Sequence, residues 1–183
     1  LTSESITIRE DYTPDFTDYD ECFKINNLVT GEEEVVKDKD SNVIDSSSNE
    51  ILKVKWDGSI KFFKIYYSPE LPEGDYSAGS CILLTNEVYS IGLIKTDKYI
   101  FRNKIEGLIS QYGELYSPEY EKLKEELNIP ANSDFAFSFR SDEIKTGTPE
   151  KDITANIYSE EIPVQYVNST ANINSGFLTI KVW

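Results

Sequence analysis

Residues 52–67 read LKVKWDGSIKFFKIYY, and this stretch decides the fold class. Up to Trp56, apolar side chains alternate with lysines, which is the pattern of a strand with one buried face. Asp57-Gly58 then indicates a tight turn. The run from Ile60 to Tyr67 is apolar on both faces, which predicts a central strand of a sheet.

Alternating patterns recur on both sides of this stretch. Ile6 and Ile8 predict an N-terminal strand, and the polar residues 38–42 between two apolar runs predict a hairpin tip. In total the pattern indicates about ten strands. The clearest of the later ones contain Phe135, Phe137 and Phe139, and Leu178, Ile180 and Val182.

Helical periodicity is confined to one region. Apolar side chains recur there at the spacing of one face of a helix, and Ser117 is placed to cap a second helix. We therefore predict an α+β, β-rich fold, a largely antiparallel sheet or sandwich with a helical hairpin at about 99–127 packed on one face. The apolar stripes are Phe101, Ile105, Leu108, Ile109 and Tyr112, and then Tyr120, Leu123 and Leu127.

The composition suits a folded extracellular domain. Hydrophobic residues make up 39% of the 183 residues, enough for a real core. We predict a single extracellular head domain over residues 1–183, with an insertion hairpin at 31–50. The net charge of −15 disfavours nucleic acid and anionic lipid as partners, since both are negatively charged.

Cysteine usage and one sequon indicate a location outside the cell. Cys22 and Cys81 each lie in or beside a strand-like run, and we favour a disulfide between them over two buried thiols. Asn168 opens the tripeptide Asn-Ser-Thr, which is an acceptor for N-glycosylation.

The residue inventory excludes most enzyme chemistry. The chain has no histidine, which removes His-based triads and His-ligated metals. Two distant cysteines cannot build a four-thiolate site, and no glycine-rich phosphate loop is present. We therefore expect no enzymatic activity. A hydrolase using two of the 33 acids remains the least favoured alternative.

One segment partly matches a calcium loop. Asp38, Asp40 and Asn42 occupy its first three ligand positions, but Val43 and Asn49 stand where the turn glycine and the closing glutamate belong. We favour a solvated hairpin tip and expect no cofactor, with calcium as the alternative.

The two tryptophans differ in their predicted roles. Trp56 shares its face with core residues, whereas Trp183 shares a mixed face with Phe177, Thr179 and Lys181. Because aromatic rings can stack on sugars, Trp183 is the candidate contact of a carbohydrate-binding or adhesive module, the main alternative function.

Two further segments resemble a known family. Residues 120–130 read YEKLKEELNIP, with DFAFSF at 134–139, and residues 161–167 read EIPVQYV, with GFLTIKVW at 176–183. Together they resemble the C-terminal part of archaeal type IV pilin-like or class III signal peptide envelope proteins.

The resemblance implies an outward-facing β-rich head that an N-terminal apolar helix anchors or assembles. No such helix is present in these residues, so we expect that it has been removed and that it supplies any membrane contact. The expected function is that of a structural cell-surface protein, acting by adhesion, by self-association or by binding other envelope proteins.

Overall fold

The computed structural model describes residues 1–26, 32–48, 51–112, 117–142, 145–147 and 156–183. The chain divides into two compact units. Unit 1 is Leu1–Lys98 with Ser169–Ala171, and unit 2 is Tyr99–Asn168 with Asn172–Trp183. Such a division does not decide whether the units fold independently, so one domain over residues 1–183 stays a prediction.

A six-stranded antiparallel sheet forms the first part of unit 1. Its order is β10-β1-β7-β3-β4, and β9 also pairs with β1. The predicted central strand, β7, is thus confirmed, as is the hairpin of β3 and β4. The strands are β1 (Thr2–Ile8), β3 (Glu34–Lys37), β4 (Val43–Ile44), β7 (Phe62–Tyr67), β9 (Tyr89–Ile91) and β10 (Lys95–Thr96).

A four-stranded sheet forms the second part of unit 1, in the order β5-β6-β2-β8. Gly58, with a φ of +29°, lies in the turn between β6 and β7. Because β6 and β7 belong to different sheets, this turn connects the two sheets. One hydrophobic cluster takes side chains from both sheets, among them Phe23, Leu52 and Phe63. The strands are β2 (Cys22–Asn26), β5 (Ser46–Ser48), β6 (Ile51–Lys55) and β8 (Ile82–Leu83).

Unit 2 contains a five-stranded sheet and two helices. The sheet order is β11-β14-β15-β12-β13. The Ser117 side chain accepts a hydrogen bond from Tyr120 N, as expected for a helix cap. The elements are β11 (Ile100–Phe101), α1 (Arg102–Tyr112), α2 (Pro118–Glu126), β12 (Phe135–Arg140), β13 (Lys145–Gly147), β14 (Tyr158–Val167) and β15 (Ile173–Val182).

The predicted helical stripes are only partly buried. Ile105 and Ile109 of α1 pack with Tyr120 of α2 in the hydrophobic cluster of unit 2. The prediction was wrong for Leu108 and Leu127, which are 43% and 55% exposed. Leu108 lies on the flank of α1 because the i, i+4 pair of Ile105 and Ile109 faces the cluster.

The described residues thus form a β-rich α+β fold with several sheets and two helices. They contain fifteen strands rather than about ten, because several strands span only two or three residues and arise from backbone pairing. Residues 31, 49 and 50 of the predicted insertion hairpin lie outside the described part. None of the helices that the structure describes has the length and apolar character needed to cross a membrane.

Candidate interaction surface and predicted site residues

The predicted disulfide is present. Cys22 begins β2 and Cys81 precedes β8, with the sulfur atoms 2.04 Å apart and the Cα atoms 5.0 Å apart. Both residues are buried. The bond closes a loop between residues separated by 59 positions, and such crosslinks persist mainly in oxidising compartments.

The predicted calcium ligands form a hydrogen-bonded turn. Asp38 Oδ1 accepts hydrogen bonds from the backbone nitrogens of Asp40 and Asn42, and its Oδ2 accepts one from Asn42 Nδ2, each at 2.8 Å. The bonds from Asn42 are the main cause that lowers the pKa of Asp38. These hydrogen bonds stabilise the turn at the hairpin tip, and calcium binding stays the alternative interpretation.

The structure brings further acids to this hairpin tip. Glu10 and Asp57 line the same cleft of about 410 Å³ as Asp38 and Asp40, together with Lys61. Across the described ranges, no group of three or more acidic, histidine or cysteine side chains has the arrangement of a metal site. Charged side chains make up most of the lining of this cleft, which lies in unit 1.

The glycosylation candidate lies in the turn between β14 and β15. Asn168 is half-buried, and its Oδ1 accepts a hydrogen bond from Asn172 N at 2.9 Å. Its backbone nitrogen donates to Asn172 O. Asn168 thus stabilises the turn, and its glycosylation stays a prediction.

The two tryptophans occupy different environments. Trp56 is 4% exposed and packs edge-on against Phe23, which confirms its core role. Trp183 is half-buried, and its backbone forms two hydrogen bonds with Asp134. Its role as a glycan contact stays a prediction.

Two buried acids were not predicted from the sequence. Glu4 and Glu34 are 1% and 2% exposed. Tyr67, on β7, lies opposite Glu34 of β3. Its hydroxyl group donates a 2.5 Å hydrogen bond to Glu4 Oε1. Glu4 has the same strand parity as Ile6 and Ile8, so extending their alternation by one step points to burial.

Burial governs the chemistry of this cluster. It raises the pKa of Glu4, while the hydrogen bond from Tyr67 opposes that shift. Burial, the bond to Glu4 and the charge of Glu34 together raise the pKa of Tyr67 above its ordinary range. Because both carboxyl groups are shielded from solvent, a substrate would reach neither of them without opening of the sheet.

One strand edge of unit 2 is open. β14 pairs with β15 from Tyr158 to Val167. On its other side, β14 pairs only at Tyr166 and Val167, with β11. Within the described residues, 158–165 therefore form an unpaired edge, and its side chains are exposed apart from Val164. Unpaired backbone groups at a sheet edge can form hydrogen bonds with an added strand, except for the nitrogen of Pro163, which has no hydrogen to donate.

An apolar groove adjoins this edge. It has a volume of about 250 Å³ and lies between α1 and the sheet of unit 2. Leu108 and Ile100, which border it, are 43% and 47% exposed, so the groove opens to solvent. Its lining includes Ile105, Leu108, Ile109, Phe137, Val164 and Leu178, and also Lys104.

Strand parity places the groove and one exposed aromatic ring on the same side of the sheet. Val164 lines the groove, and alternate residues of a strand share a face. Tyr158, Glu160 and Ile162 therefore project on that side as well. Tyr158 is 76% exposed. The sequence pattern marked Leu108 as apolar but gave no sign that it borders an open groove.

Comparison with known protein families, with curated proteins and with solved structures gives no match to this chain.

Proposed function

We propose that this chain is a non-enzymatic structural protein of the cell surface, which acts by protein–protein assembly or adhesion. The observation that carries the proposal is the surface of unit 2, where the open edge of β14 borders an apolar groove. Exposed sheet edges and apolar patches are the surfaces through which proteins bind each other.

The Cys22–Cys81 disulfide supports a location outside the reducing cytosol. The net charge of −15 suits a soluble extracellular surface, and a sugar on Asn168 would belong to the same setting. The resemblance of residues 120–139 and 161–183 to archaeal pilin-like proteins supports a pilin-like subunit or a membrane-anchored envelope head.

The same proposal includes the finer architecture. The two sheets of unit 1 would pack as an antiparallel sandwich, since their side chains share one cluster. Helices α1 and α2 would form a hairpin over one face of the unit 2 sheet, since Ile105 and Tyr120 lie in one cluster with Phe137. Helix α1 forms one wall of the groove and would present it to a partner.

Surface labelling of intact cells of the source organism tests the location. A membrane-impermeant amine reagent should label the protein before lysis, because lysines such as Lys122 are exposed. A cytosolic protein of the same cells is the control, which should react only after lysis. Labelling of this chain only after lysis would contradict the proposal.

Chemical cross-linking of the same cells tests the mode of action. The wild-type chain should appear in species of higher mass, and Leu108→Glu should reduce them by placing a charge at the groove. Leu83→Glu is the matched control, because Leu83 is 49% exposed in unit 1. Absence of cross-linked species, or equal loss in both variants, would contradict the proposal. Glycan binding that Trp183→Ala abolishes would favour the carbohydrate-binding alternative.

A further inference from the structure

We propose that two copies of this chain associate by antiparallel pairing of their β14 strands, with Tyr158 of each copy seated in the apolar groove of the other. The inference rests on the proposed function and names its partner, a second copy. A contact of this kind is isologous, so the same strand supplies both sides.

The charges on β14 disfavour two registers and are compatible with a third. If the two-fold axis of an antiparallel pair passes at Glu160 or at Glu161, that acid lies directly opposite the same acid of the second copy. Like charges in this position destabilise the pair. A centre on Ile162 places Ile162 opposite Ile162, Glu161 opposite Pro163, and Glu160 opposite Val164 of the second copy. This register has no acid opposite an acid, and it joins two exposed isoleucines, each 36% exposed.

The same register ends where the groove begins. β11 occupies the edge of β14 from Tyr166 onward, so pairing with a second copy stops at Gln165, which lies opposite Ser159. Tyr158 comes next and lies beside Ile100 of the second copy. Ile100 borders the groove, and Tyr158 projects on the groove side of the sheet.

The groove suits an aromatic ring. Its lining is apolar except at Lys104, and cavities of about 150 Å³ with similar lining bind benzene. A volume of about 250 Å³ accommodates the ring of Tyr158. Tyr158 is 76% exposed in the single chain, so insertion would remove a large apolar surface from water.

Charge complementarity favours the same arrangement. Glu160 lies opposite Val164 of the second copy, and Val164 and Lys104 line one groove. Glu160 of each copy therefore approaches Lys104 of the other.

Because each copy carries a net charge of −15, long-range repulsion opposes association, and salt screens it. Association should therefore strengthen as the salt concentration rises.

Sedimentation velocity of the purified chain, from micromolar to millimolar concentration in low and high salt, tests the proposal. The wild type should form a dimer, and Tyr158→Ala should weaken it about tenfold or more. Tyr19→Ala is the matched control, because Tyr19 is an exposed tyrosine of unit 1, and it should leave dimerisation unchanged. Circular dichroism verifies that each variant is folded.

A charge exchange tests the orientation. Lys104→Glu and Glu160→Lys should each weaken the dimer, because each places like charges together, and the double variant should restore it. The proposal is overturned if the wild type is monomeric throughout, if Tyr158→Ala dimerises as tightly as wild type, or if the double variant is no better than the single ones. If cross-linking on cells still shows other envelope partners, the proposed function stands while this inference fails.

Discussion

Opening the Cys22–Cys81 disulfide is expected to destabilise unit 1 by about 4 kcal/mol. The bond joins residues 59 positions apart, and the loop-entropy relation gives about 4 kcal/mol for a loop of that length at 25 °C. Both cysteines are buried between paired strands, so the reduced thiols can keep their packing. The loss would then arise mainly from the greater freedom of the unfolded chain.

The two tryptophans of the chain allow a fluorescence reporter to be placed in unit 1 alone. Trp56 lies in unit 1 and Trp183 in unit 2, so Trp183→Phe leaves one reporter beside the disulfide. Trp56 is 4% exposed, and its emission should shift to longer wavelength when unit 1 unfolds. Urea unfolding of this variant, with and without reductant, gives the difference in the free energy of unfolding.

A double variant, Cys22→Ala with Cys81→Ala, is the control. Its stability should match that of the reduced chain to within about 1 kcal/mol and should not respond to reductant. If reduction lowers the free energy of unfolding by less than about 1 kcal/mol, the loop-entropy argument is refuted for this chain. An equal response of the control to reductant would show that the effect is not due to the bond.

Three further expectations follow from individual contacts. Burial raises the pKa of Glu4 in the folded chain. The stability contributed by the protonated Glu4 side chain is therefore complete below the pKa that Glu4 has in the unfolded chain, and it is lost as the pH rises through the pKa that Glu4 has in the folded chain. The free energy of unfolding of Glu4→Gln, measured with urea, should therefore increase relative to that of the wild type as the pH rises from acidic to neutral. A difference between the two proteins that does not change with pH would contradict this. Tyr120 Oη hydrogen-bonds both N and O of Phe135, so Tyr120→Phe should cost about 2 kcal/mol in unfolding of unit 2 followed by Trp183. A cost near zero would contradict a stabilising role for these two hydrogen bonds. Finally, Asp38→Ala removes three turn hydrogen bonds and should lower the melting temperature equally with calcium and with chelator; a loss confined to calcium-containing buffer would establish a metal site.

Local patterns in the sequence predicted individual strands better than their partners. The alternation around Trp56 and the apolar run to Tyr67 each correspond to a strand, and the polar tip at 38–42 corresponds to a hairpin. The pattern could not show that β6 and β7 belong to different sheets. Periodicity reports which face of a strand is buried, but not which distant segment pairs with its edge.

Features that depend on tertiary packing were less accessible. The disulfide was predicted from the positions of Cys22 and Cys81, whereas the exposure of Leu108 was not. Helical spacing placed Leu108 on the apolar stripe, and only the position of α1 above the sheet shows that it borders a groove. The unpaired edge of β14 depends on how far β11 extends beside it, and a two-residue strand has no pattern of its own.

A cysteine placed at the proposed two-fold axis tests the central claim most directly. The native cysteines are bonded to each other, so Ile162→Cys introduces a single thiol. Residues directly opposite in an antiparallel pair have Cβ atoms about 5 Å apart, close enough for a disulfide after a small adjustment. In Glu160→Cys the introduced thiols would be offset by four positions, or about 13 Å along the strands.

Under mild oxidation we expect Ile162→Cys to form a covalent dimer on a non-reducing gel and Glu160→Cys to remain monomeric. Equal cross-linking of both variants, or none in either, would contradict assembly through the β14 edge.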